Sequence, residues 1–232
     1  DLINDNNFVQ LDFTHNEYLP KEEVESILEY KKKGYNEDGT IKNEYWANRW
    51  NVYGLGNVGS VEGRIYFWNK IQYTDFLNIN TPIYYGVDWG SVDPFAVVMA
   101  KYYDGNLYVH EINYASENEI RTRLNTTELH QINGATNDGL VTWLFTKWGV
   151  QKDKPIICDS NRPNKIFTLR QAGWEQAVAI SNKSKLIDRV TTMQNINIYY
   201  TNESKHIDFE QRSYCYAKDK FGKSLEEPED KN

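Results

Sequence analysis

The alternation of apolar and polar residues changes character near Asn80-Thr81-Pro82. Before that point the chain is polar and aromatic. A helix is expected from Pro20 to about Lys33, with proline in its first turn and Val24, Ile27 and Leu28 on one face. Lys31, Lys32 and Lys33 suit the negative end of its dipole. A polar loop from Gly34 to Thr40 leads to an aromatic stretch around Tyr45, Trp46 and Trp50. The glycines that follow, Gly54, Gly56, Gly59 and Gly63, are scattered and read as turns, because no phosphate-loop spacing relates them.

After Pro82 the pattern becomes regular. Ile83–Asp88, Phe95–Tyr103 and Leu107–Ile112 read as strands, the last two joined by Asp104-Gly105, a strong hairpin signal. Ser116 with Glu119 three residues later forms a capping box, so helix begins there and runs, with breaks at Gly134 and Gly139, to about Trp148. Pro155–Cys158 is a short buried strand ending on Asp159. Pro163 opens a helix that Gly173 closes. A strand near Gln176–Ile180, a helix over Lys183–Gln194, a strand over Ile196–Tyr200 and a helix near Ile207–Tyr216 follow. The tail from Ser224 to Asn232 is acidic and polar. Consecutive strands followed by alternating helices and strands imply an α/β fold, a mixed sheet flanked by helices.

Composition narrows the class. With 232 residues, 40% hydrophobic and 25% charged, the chain can bury one full core with an appended segment. No apolar run approaches the roughly 20 residues of a membrane helix, and no signal-peptide pattern opens the chain. Cys158 and Cys215 form no framework, which fits a reducing, intracellular compartment. A net charge of −7 argues against a protein that coats nucleic acid. It leaves room for a nuclease, because carboxylates that hold divalent metal are themselves acidic. The 17 Tyr and 7 Trp could stack on bases but more often pack cores.

Two carboxylates stand out by position. Asp88 ends the strand Tyr84-Tyr85-Gly86-Val87-Asp88, and Asp159 ends Ile156-Ile157-Cys158-Asp159. Ligands gather at strand carboxyl ends in open sheets. Aspartates on neighbouring strands could share two divalent ions, which would stabilise the attacking and leaving oxygens of phosphodiester hydrolysis. Hard oxygen donors suit Mg²⁺ or Mn²⁺. On spacing alone, turn or helix capping explains each aspartate as well. Asp93 reads first as a turn residue before Pro94, with a supporting role beside the metal ligands as the alternative, and Glu111 is a further candidate in the third strand. His15, His110, His130 and His206 show no zinc-like pairing.

Gly86-Val87-Asp88-Trp89-Gly90 with Asp93-Pro94, then Asp159-Ser160, Pro163 and Leu169-Arg170-Gln171-Ala172-Gly173, resemble the nuclease domain of large terminase subunits of tailed phages. Lys183 to Arg189 resembles the family's Lys/Ser-containing helix start. Tyr216-Ala217-Lys218-Asp219 with Gly222-Lys223 and Pro228 resembles the segment before its closing motif. Upstream, Asn16–Pro20, Tyr53–Gly56 and Glu62–Tyr66 resemble the connection leaving an ATPase domain.

The resemblance implies a ribonuclease-H-like fold: residues 1–80 a connecting segment from an ATPase domain, residues 81–232 the nuclease domain, C-terminally incomplete. It implies Asp88 and Asp159 as catalytic metal ligands and Mg²⁺ or Mn²⁺, two ions, as cofactor. A third ligand is expected in an Asn-Asp/Asn-His-x-x-Asp pattern beyond Asn232. Expected partners are double-stranded DNA, the ATPase domain of the same subunit, the portal protein and the small terminase subunit, in the host-cell cytoplasm. Candidate DNA contacts are Arg162, Lys165, Arg170, Lys183, Lys185 and Arg189, each of which could equally sit on a solvated helix face.

Two other readings compete. Gly86–Ser91 also resembles the first phosphate loop of sugar kinases and actin-like ATPases, but the duplicated domain and second Asp-x-Gly loop they require are missing. A portal-docking module that does not cut is the other, and the presence of both aspartates weighs against it.

Overall fold

A computed structural model describes residues 10–57, 64–132, 137–181, 184–218 and 224–228. Their helices are α1 (Lys21–Gly34), α2 (Glu44–Arg49), α3 (Tyr73–Asn78), α4 (Glu117–Arg123), α5 (Thr126–Ile132), α6 (Asn137–Lys147), α7 (Pro163–Gln171), α8 (Leu186–Gln194) and α9 (Lys205–Ser213). The strands are β1 (Asn69–Ile71), β2 (Ile83–Asp88), β3 (Phe95–Tyr103), β4 (Asn106–Ala115), β5 (Ile156–Cys158), β6 (Ala177–Ala179), β7 (Asn197–Thr201), β8 (Tyr216–Lys218) and β9 (Ser224–Pro228). Among the described residues no helix is long and apolar enough to cross a membrane.

The chain divides into two compact units. The larger, Asn69–Lys185 with Ile198–Phe209, is built on a seven-stranded mixed sheet of order β1-β7-β4-β3-β2-β5-β6. At its centre β2, β3 and β4 form an antiparallel meander. Beyond β2 lie β5 and β6, both running parallel to it. This is the ribonuclease-H-like mixed sheet that the sequence implied. Asp104 and Gly105 both adopt positive φ (47° and 74°), the geometry of a type I′ hairpin, so β3 turns directly into β4.

One face of this sheet is sealed. Tyr85, Val87, Phe95, Val97, Ile156, Cys158 and Ala177 point into a core closed by Ile120, Ile132, Leu140, Leu144, Phe145, Ile166, Leu169 and Trp174. At α7 the chain follows simple rules: Pro163 occupies the first turn, and Gly173 (φ 100°) ends the helix while Trp174 N–H closes onto Leu169 O at 3.0 Å. Lys101 enters the interior from β3. Its ammonium donates to the carbonyls of Phe76, Leu77 and Ile79 at the C-terminal end of α3.

The smaller unit comprises Asp1–Trp68, Leu186–Asn197 and Glu210–Asn232. Asn43 caps α2 by accepting from Trp46 N–H and donates to Gln194 O, tying α2 to α8. Arg49 lies over the rings of Tyr30, Tyr45 and Tyr53, and Trp46 stacks on Tyr30. The aromatic stretch therefore packs this unit from within.

Several expected elements differ. Helix does not run unbroken from Ser116. It stops at Arg123, and Asn125 with Glu128 forms a second reciprocal cap that starts α5. Gly139 lies inside α6 and does not break it, and Gly134 lies outside the described residues. The helix expected to reach Tyr216 ends at Ser213, because Tyr216–Lys218 pairs with Ser224–Pro228. Gly59 and Gly63 also fall outside the described residues.

Candidate active site

Asp88 and Asp159 come together because two parallel strands end side by side. Val87 is in register with Cys158, and Asp159 N–H donates to Val87 O at 2.8 Å. The aspartates hold the next matched positions, so their backbones are about 4.8 Å apart, the spacing of neighbouring strands. Side chains alternate along a strand, and those of Val87 and Cys158 fill the core. The aspartates therefore project on the opposite face. Asp88 is exposed and Asp159 is half-buried, its Oδ1 shielded from solvent.

Trp89, which the sequence did not single out, fixes this end of the sheet. Its indole N–H donates to Asp159 O at 3.0 Å, and its ring stacks on Phe95 at 5.5 Å. The β2–β3 turn then folds tightly onto Gly90, where a side chain would strike the carbonyl oxygens of Asp93 and Pro94. Asp93 itself is exposed in that turn. Cys158, between the two strand ends, is buried, and burial pushes its thiol up to about 12. It stays protonated near neutrality, and a thiol is a poor metal ligand.

The remaining candidates scatter. Glu111 lies on the same sheet face as Asp88, but its carboxylate accepts from His206 N–H (3.1 Å) and Ile207 N–H (3.0 Å) at the start of α9. Arg162 is exposed three residues after Asp159. Lys165 is not a surface cation: it is buried, ion-paired with the equally buried Glu117, and sits over the Trp89 ring. Burial pushes its ammonium below the ordinary lysine range. Arg170 Nε donates to Ala177 O at 2.6 Å. Lys185 is exposed, Lys183 lies outside the described residues, and Arg189 is exposed on α8 in the smaller unit.

The donor set suits a hard divalent cation. It consists of two carboxylates, one of them open to water. Among the described residues no group of three or more His, Cys, Asp or Glu side chains is placed to hold a metal, so water would complete the shell.

No family model and no curated protein matches the chain. Solved structures do. The nuclease domain of g2p, the large terminase of bacteriophage SPP1, with bound Mn, superposes with a TM-score of 0.51 at 15% identity, over 73% of this chain and 91% of that one. The fold is that of a large-terminase nuclease domain. The large terminase of a thermophilic bacteriophage, in complex with ADP, gives 0.52 at 18% identity over 96% of this chain. The chain spans 51% of that thermophilic terminase's length. Asp88 and Asp159 lie at the ends of the adjacent parallel strands β2 and β5.

Proposed function

We propose that this chain is a metal-dependent endonuclease that cuts double-stranded viral DNA concatemers during genome packaging, with Asp88 and Asp159 as its metal-binding carboxylates. One observation carries the reading: the two aspartates end adjacent parallel strands, on one face of a fold shared with a Mn-bound terminase nuclease domain. When bound there, Mg²⁺ or Mn²⁺, as two ions, would supply positive charge against the negative charge that builds up at the scissile phosphate.

The protein's own groups do the rest. Asp88 and Asp159 bind, and Trp89 holds the Asp159 backbone. Arg162 and Lys185 provide exposed cations for phosphates, with Lys183 as a further contact. Lys165 leaves the proposed DNA surface because its charge is already paired with Glu117. Asp93 keeps a supporting role through the turn beside Asp88. The same reading makes the ATPase domain of the subunit, the portal protein and the small terminase subunit the partners, in the host-cell cytoplasm.

The test is cleavage of supercoiled plasmid in Mg²⁺ or Mn²⁺. Asp88→Asn and Asp159→Asn should each lower the rate on the order of a hundredfold or more, the scale of losing a group that stabilises developing charge. Wild-type rates in either variant would overturn the assignment.

A further inference from the structure

We infer that His206 is a DNA-positioning residue, holding a phosphate next to the one that Asp88 and Asp159 act on. The inference rests on the nuclease reading above and adds a second, separately placed contact to it.

Its basis is a row of side chains across the sheet. Asp88 pairs with Ala96, and Ala96 pairs with Tyr114, so all three project from the same face. Ala96 is short, which leaves the row low between the acidic pair and the Tyr114 ring. Two strand spacings separate Asp88 from Tyr114, roughly 10 Å. A group held at Tyr114 therefore meets a different part of the DNA strand from one held at Asp88.

A β-bulge completes the arrangement. Val97 pairs with Asn113, but Val98 pairs with Glu111, so β4 carries one extra residue there. In a regular strand Glu111 and Tyr114, three apart, would face opposite ways, and the bulge turns both to the site face. His206 bridges them. Its ring stacks on Tyr114 at 4.5 Å and 16°, and its Nδ1 meets Glu111 Oε1 at 2.6 Å. Glu111 is held in turn by donating its own N–H to Ser204 Oγ at 2.9 Å. Capping α9 requires only the two backbone N–H donors, so the grip on the imidazole is additional. The side chain of His206 nevertheless stays 51% exposed. A fixed yet accessible ring is suited to meeting a ligand.

The chemistry selects a phosphate. A carboxylate can only accept, so Nδ1 carries the hydrogen in this pair. When Nε2 also carries one the ring is a cation and Nε2 is a donor, which matches a phosphate oxygen. Strand-end carboxylates repel DNA, and a hydrogen-bond donor held two strands away would offset that repulsion. The titratable and charged groups around the ring are Glu111 and Tyr114 from β4, Glu119 from α4, and Glu203 and Lys205 in its own turn.

The experiment is binding of a short fluorescent duplex in Ca²⁺, measured against salt, for wild type, His206→Gln and His206→Lys. His206→Gln should weaken binding about three- to tenfold and flatten the salt slope by about one ion, the signature of one lost phosphate contact. His206→Lys should restore both. An unchanged slope in His206→Gln, or equal loss in both variants, would overturn the inference, the second outcome marking a merely structural histidine. Wild-type protein that binds no DNA would sink both readings. Protein that binds through His206 but never cuts would keep the positioning role and remove the nuclease reading.

Discussion

On one face of the sheet Tyr85, Val87, Val97, Ile156 and Cys158 are shut into the core, with Val97 and Ile156 wholly buried. Their immediate neighbours on the same strands, Tyr84, Gly86, Asp88, Ile157 and Asp159, look the other way. There Tyr84 and Ile157 remain 43% and 41% exposed. The two faces share backbone, hydrogen bonds and strand order, and differ only in which alternate residue projects. One register therefore carries stability and the other carries chemistry, so substitutions one residue apart should fail in different assays.

The sharpest way to break that comparison is to place the same charge on each face. Val97→Asp buries a carboxylate with no prepared partner, and should cost more than about 4 kcal/mol in denaturant melts or prevent folding altogether. Ile157→Asp adds its charge to an open surface, and should cost no more than about 1 kcal/mol. Equal losses would mean that the second face is also covered.

A smaller effect comes from Cys158, which belongs to the buried register although both its neighbours are exposed or half-exposed. Its thiol should resist iodoacetamide in the folded protein at neutral pH and react once the chain unfolds. Burial raises its ionisation from 9.0 to about 12, so only the unfolded chain gains from forming a thiolate between those values. Cys158 thus contributes stability that is fully present below pH 9.0 and is lost as pH rises towards about 12. Melting temperatures of wild type and Cys158→Ala across that alkaline range should converge as pH rises. Rapid labelling of native protein would show that the β2–β5 edge opens readily.

Much of this was legible from the sequence because strand alternation is local. Ile83–Asp88 and Phe95–Tyr103 were bounded as observed, which puts Asp88 at a strand end, and the short strand expected at Pro155–Cys158 is found as Ile156–Cys158, just before Asp159. What stayed hidden depends on partners far along the chain. Lys165 looked like a surface cation because Glu117, which buries it, lies 48 positions earlier. Tyr216 was read as the end of a helix, yet Tyr216–Lys218 pairs with a polar segment beyond it to form a hairpin. The three-residue strand β1 has too little alternation to read, and exists through its pairing with β7. The bulge that turns Glu111 and Tyr114 to one face leaves no mark on composition, so His206 gave no signal beyond being a histidine.

The account stands on two carboxylates sharing a metal site, and calorimetric titration of Mn²⁺ tests that most directly. Wild-type protein should bind Mn²⁺, and the double variant Asp88→Asn, Asp159→Asn should lose that binding while melting at or above the wild-type temperature, because two like charges have been removed from adjacent positions. Undiminished Mn²⁺ binding by the folded double variant would contradict it.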